Sequence, residues 1–165
     1  MEKEIKLSKS NLLRLKITTD TGEDTKQELL FDLEDIELSL RYQEMIERDK
    51  KNRDWLNKEL LIINKRQDIK GKKLLSKNEE DKLKAYNKFF KEEVEIYNMF
   101  LGENGVQKLL NGRKVNWDTL KEIDLIIEKQ IVPKLNITMD KITDKIKNKY
   151  KEAVQRNKEV LKENE

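Results

Sequence analysis

Between Leu83 and Leu101 the chain places Leu83, Tyr86, Phe90, Val94, Tyr97 and Leu101 at steps of 3, 4, 4, 3 and 4 residues. Such steps put side chains on one side of an α-helix, so these positions form a continuous apolar stripe. Phe89, Ile96 and Phe100 give the same segment a second apolar face. A helix that is apolar on two sides must be sandwiched, and this requirement constrains everything else, because other elements have to cover it. Ser76-Lys77-Asn78-Glu79 supplies a capping box for its start.

The covering elements can be read on either side. Leu13, Leu15 and Ile17 alternate with Arg14, Lys16 and Thr18, the period of a half-buried strand. Asp20-Thr21-Gly22-Glu23-Asp24 forms a turn cluster, and Thr25 to Phe31 resumes a strand, so the two runs predict a β-hairpin. Two strands alone are marginal, so the hairpin must lie on helices or add to another sheet edge. Asp32 or Asp35 is placed to cap a helix carrying Ile36, Leu40, Met45, Ile46, Trp55, Leu56, Leu60 and Ile63. The wholly polar run 47–54 predicts that this helix crosses open solvent or is interrupted there. Gly102 and Gly105 flank a break, Val106 to Leu110 makes a brief helix, and Asn111-Gly112 stops it. Asn116 caps a helix starting at Trp117, with Leu120, Ile123, Ile127 and Ile131 on one side, and Pro133 is expected to kink or end it. Leu135, Met139, Ile142, Ile146, Tyr150, Ala153, Asn157 and Val160 then form a thin helical stripe. It needs a partner, either the helix near residue 50 or another chain.

The expected fold class is α+β, mostly α: an N-terminal β-hairpin packed on a helical bundle with a long C-terminal helical arm. Residues 1–11 read as a loose, flexible arm, 12–133 as the hairpin plus helical domain, and 134–165 as an amphipathic helical extension. Composition agrees, with 36% apolar and 42% charged residues. Ordinary domains hold about 45–50% and about 25%, so long helices with solvated outer faces fit better than a core enclosing every residue.

Chemistry is narrowed by absence. The chain has no cysteine and no histidine, hence no thiolate ligand, no disulfide and no imidazole base near neutral pH. Acid pairs such as Glu79/Glu80 and Glu92/Glu93 read as solvated, with no two acids at apolar positions. The run from Asp20 to Glu28 has its glycine at the third position instead of the sixth of a calcium loop. Gly102-Glu103-Asn104-Gly105 lacks the Lys-Ser/Thr pair of a phosphate loop. No catalytic, cofactor-binding or metal-ligating residue is therefore assigned. Leu29, Phe31, Tyr42, Trp55, Phe100 and Trp117 are expected as core or interface anchors. Lys65, Arg66, Lys70, Lys72, Lys73 and Lys77 form a possible basic contact patch, with Asp68 the one acid among them. No aromatic residue lies there to stack on bases, and the net charge is only +3, so the run reads first as a solvated connection, with contact to phosphate, nucleic acid or an acidic partner the weaker reading. The start of the chain shows no apolar signal region and no stretch suits a membrane span, so a cytoplasmic protein is expected.

Two segments carry a resemblance. Leu29-Leu30-Phe31-Asp32-Leu33-Glu34-Asp35 leads into Arg41-Tyr42 and a long charged helix. Later Tyr97-Asn98-Met99-Phe100-Leu101-Gly102-Glu103-Asn104-Gly105 is followed by Lys108-Leu109-Leu110-Asn111-Gly112-Arg113 and Asn116. Over roughly residues 12–135 this resembles a family of small tail-region proteins encoded by tailed phages and prophages of Gram-positive-type bacteria. The resemblance implies a non-enzymatic, tail assembly chaperone-like role. The implied partner is a tail component, such as a tape-measure protein, held by helix-in-groove or strand-addition contacts. Self-association through 134–165 is a further expectation. The alternative is a phage-encoded inhibitor of host defence, such as an anti-CRISPR protein blocking an RNA-guided nuclease.

Overall fold

The computed structural model describes residues 11–164. Apart from Asn11, the arm expected over 1–11 lies outside the described residues, as does Glu165. Two strands, β1 (Leu12–Thr18) and β2 (Asp24–Asp32), precede five helices, α1 (Ile36–Lys65), α2 (Lys77–Leu101), α3 (Gly105–Leu110), α4 (Trp117–Ile126) and α5 (Val132–Glu163). A π-turn, Ile127–Ile131, joins α4 to α5. The fold is α+β and mostly α, as the sequence predicts.

β1 and β2 pair antiparallel, with Leu13 opposite Phe31 and Leu15 opposite Leu29. Leu13, Ile17, Leu29 and Phe31 turn one face of the hairpin onto the helices and are buried. Burial of that face gives a two-stranded sheet the support it lacks alone. The Phe31 ring lies 5.7 Å from that of Phe100, and Tyr42 lies 5.3 Å from Phe100 on its other side. At the tip Gly22 takes φ 85° and donates its N–H to Thr19 O at 2.9 Å.

The helix ends follow the capping residues. Asp35 Oδ1 accepts from Glu37 N at 2.9 Å, Ser76 and Glu79 close the capping box of α2, and Asn116 caps α4 through Thr119 N. Asn111 (φ 48°) and Gly112 (φ 86°) turn left-handed and end α3. Gly105 approaches so closely that a Cβ there would fall 2.5 Å from Leu101 Cβ.

α1 and α2 form an antiparallel helical hairpin. Tyr42 meets Phe100, Asn52 meets Phe89, and Asn78 meets Ile63. α1 turns Leu38, Met45, Asn52, Leu56 and Ile63 inward, a set built largely on seven-residue steps, which keep one face of a helix on a partner. Ile36, Leu40 and Ile46, counted as part of the apolar spacing, point outward instead, with Leu40 63% exposed. The stripe on α2 is also re-ranked. Phe89, Ile96, Tyr97 and Phe100 are its deepest apolar residues, whereas Leu83 is exposed and Tyr86, Phe90 and Val94 are half-buried. Helical spacing identifies a face, but not the side on which its partner lies.

One expectation about helix breaks is overturned, and the kink or end expected at Pro133 takes the form of a local irregularity. The run 47–54 neither crosses open solvent nor interrupts α1, because Arg48, Asn52 and Arg53 face α2 and α4. Pro133 does not end the last helix. The π-turn takes up one extra residue, with Val132 N donating to Ile127 O, and the helix resumes around the proline. Ile123, Ile127, Ile131 and Leu135 are all buried at steps of four. Each such step overshoots a regular α-turn by about 40°, and the wider π-turn keeps the four side chains on one side.

Candidate functional site

Three features have chemistry to offer. The first is a polar seam inside the α1–α2 contact. Glu93 sits among Phe89, Ile96 and Phe100 and is 0% exposed. Its Oε1 accepts from Asn52 Nδ2 at 2.7 Å, and the same amide nitrogen donates to Phe89 O at 3.2 Å. Glu93 Oε2 has no partner among the described residues. Arg53 grips both oxygens of Asp49 at 2.9 and 3.0 Å, and its guanidinium lies 5.8 Å from the Trp117 ring centroid. Burial, then the nearby Asp49 carboxylate, pushes the Glu93 carboxyl up to about 8. Tyr97 donates its hydroxyl to Asp124 Oδ1. Burial, followed by that carboxylate, raises the tyrosine, and burial also raises Asp124 above its ordinary value.

One acid therefore does occupy an apolar position, although no two do among the described residues. Glu93 carries no hydrophobic weight in a periodicity count. The signal was its spacing: Phe89, Glu93, Ile96 and Phe100 share one helical face. A raised carboxyl can act as a general acid, but only where a substrate can reach it, and Glu93 is sealed. The seam pairs and aligns helices. Among the described residues no group of three or more carboxylates is placed to hold a cation.

The second feature is a cleft of about 560 Å³ between β1, the end of α3 and α4. Leu15, Leu29, Leu110 and Ile126 give it an apolar floor, and an Arg113–Glu122 ion pair at 2.9 Å stands in its wall.

The third is the outer part of α5. Leu135 and Thr138 are buried and Ile142 is half-buried, so the boundary drawn at residue 134 falls inside one continuous helix. From Thr143 to Asn164 every residue except Val154 is exposed, including Ile146 at 61%, Tyr150 at 71% and Leu161 at 68%. α1 does not cover this stripe.

The sequence-selected anchors divide into two groups. Leu29, Phe31, Tyr42 and Phe100 converge in the core beneath the hairpin. Trp55 and Trp117 lie apart from them. Lys88 sits over the Trp55 ring at 4.5 Å from its centroid, and Trp117, 46% exposed, stacks on Phe89 and Phe90 with centroids 5.0 and 5.2 Å away. The basic residues do not gather into one patch. Arg66 and Lys77 both pair with Asp81, while Lys65, Lys70, Lys72 and Lys73 are exposed along the α1–α2 connection and its approach. That connection is fastened by Lys77 N donating to Ile69 O at 2.9 Å and by Asp68 Oδ1 accepting from Asn78 N at 3.0 Å. The buried Asn78 side chain donates to Ile63 O and Arg66 O, closing the end of α1. No helix among the described residues is long and apolar enough to cross a membrane. Compared with known proteins, the chain matches no family model, no curated protein and no solved structure.

Proposed function

We propose that this protein is a non-enzymatic, cytoplasmic binding factor of a bacterial host cell that holds a partner protein along its C-terminal helix. One observation carries the reading: the outer half of α5 keeps an apolar stripe in solvent with nothing among the described residues to cover it. Helices in water owe most of their stability to packing of such a face, so a solitary arm is an incomplete structure until something docks. The resemblance in the hairpin and turn motifs supports a tail component of a phage as that partner, in a tail assembly chaperone-like role. The alternative, inhibition of an RNA-guided nuclease, calls for a continuous acidic face. The acids at the start of α1 are instead interrupted by Arg41, which pairs with both Asp35 and Glu37.

A photo-crosslinking residue in place of Ile146, in the full chain and in its native cell, tests the proposal. A cross-link to a tail component is expected. It is expected to vanish when Tyr150 and Val160, exposed on the same stripe, are both replaced by Asp, while the domain melts cooperatively as before. An arm that cross-links to no virion component, under conditions where tails assemble, sinks the reading.

A further inference from the structure

We propose that the partner docks on α5 through an amphipathic helix whose own apolar stripe is edged by acidic side chains. This rests on the protein-binding reading above and names the chemistry of that partner. Neighbouring residues on a helix stand about 100° apart, so the residues just before and after a stripe position lie along its two margins. In α5 those residues are lysines: Lys145-Ile146-Lys147 and Lys149-Tyr150-Lys151. Asp144 precedes Ile146 by two positions, which places it on the far side of the helix, whereas Glu152 and Glu159 directly precede Ala153 and Val160 and lie on one margin. The stripe is thus edged by lysines on both margins between Lys145 and Lys151, and positive charge outnumbers negative along the rest of its margins.

Residues 134–165 hold nine basic and six acidic side chains, while the 27 basic and 27 acidic residues before them cancel. The whole excess of +3 therefore resides in the arm. Of the basic residues there, Arg156 pairs with Glu152 at 3.9 Å, and Lys145, Lys147, Lys149 and Lys151 make no ion pair among the described residues.

Charge complementarity then selects the occupant. A second copy of α5, parallel or antiparallel, would bring lysine margins against lysine margins, and like charges at the edges of a helical pair oppose association. A lipid surface suits the charge but not the stripe. Interfacial helices bury Trp, Phe and Leu, whereas this stripe, through Ile142, Ile146, Tyr150, Ala153, Asn157 and Val160, has a single aromatic residue and is otherwise β-branched, small or polar. β-branched residues, a small residue and one asparagine suit the seam of a helical pair, where a polar seam residue sets register.

The test uses the full-length chain and two synthetic helical peptides of equal length. Both carry the same Leu/Ile stripe, one edged with Glu and the other with Lys. The Glu-edged peptide is expected to bind about tenfold or more tightly at low salt, with the difference shrinking as salt rises. Ile146→Asp, at an exposed position that leaves the domain intact, is expected to abolish binding. Lys145→Glu, Lys147→Glu, Lys149→Glu and Lys151→Glu together are expected to reverse the preference. Equal affinities for the two peptides would overturn the inference while leaving the protein-binding reading in place. So would tighter binding to vesicles of anionic phospholipid, or a dimer that Ile146→Asp dissociates. Loss of the in-cell cross-link removes the protein-binding reading itself.

Discussion

Replacing Glu93 by Gln isolates the thermodynamic cost of a sealed carboxyl. The group is wholly buried, one oxygen accepts from Asn52 at 2.7 Å, and the other has no partner among the described residues. Its affinity for a proton is raised from the ordinary 4.5 to about 8, first by burial and then by Asp49. The folded chain therefore binds this proton more tightly than the unfolded chain does. Stability is full below about pH 4.5, falls as pH rises through the interval, and levels off above about pH 8. One proton gives a slope of at most about 1.4 kcal/mol per pH unit, so the interval is worth no more than about 5 kcal/mol. Relaxation around the ionised group reduces the expected loss to about 2–3 kcal/mol. Glutamine resembles the protonated acid: its carbonyl can accept from Asn52 and its amide can donate toward Asp49. Urea unfolding followed by circular dichroism from about pH 5 to about pH 9 reads the difference. The native chain should lose stability across this range, and Glu93→Gln should lose much less. Asp124, also raised by burial, contributes a remaining loss of the same sign. At about pH 9 the variant should be the more stable by about 2–3 kcal/mol. Parallel pH profiles, or a variant weaker than the native chain at high pH, would refute the reasoning.

Two further substitutions probe how the elements are joined. Gly105→Ala forces a Cβ to 2.5 Å from Leu101 Cβ, so the α2–α3 junction must shift; a cost of about 1–3 kcal/mol is expected in thermal or urea unfolding. Asn78→Ala leaves the buried Ile63 carbonyl without its amide donor at 3.1 Å and is expected to cost about 1–3 kcal/mol. The same change should raise hydrogen exchange in the last turns of α1 and spare the hairpin.

Local rules made most elements legible. The alternation of Leu13, Leu15 and Ile17, the Ser76–Glu79 box, the Asn116 cap and the Asn111-Gly112 stop each satisfy backbone groups nearby, and each is found where its residues stand. Features that depend on a distant partner were not legible. Asn52 and Glu93 look like solvated residues until α1 and α2 are laid side by side, because polarity predicts exposure only when nothing across the gap can receive it. Leu40 and Ile46 erred in the opposite direction, since an apolar residue on a long helix has no core to enter where none has been built. Pro133 obeyed its own chemistry, but the π-turn ahead of it supplied a route around the missing donor that no single-residue rule contains. Of the candidate binding surface, the apolar stripe of the arm was visible in its spacing. Its exposure was not, because that depends on where the rest of the molecule ends.

The Asn52–Glu93 pair also decides which of several near-equivalent alignments the two long helices adopt. Seven-residue steps alone would let α2 slide by one repeat along α1 and still bury apolar side chains. Such a slip would set Glu93 against Met45 or Glu59, where it would find either no hydrogen-bond donor or a second carboxyl. The carboxyl thus acts as a key that fits one notch, and its energetic penalty is the counterpart of a single register between the two helices.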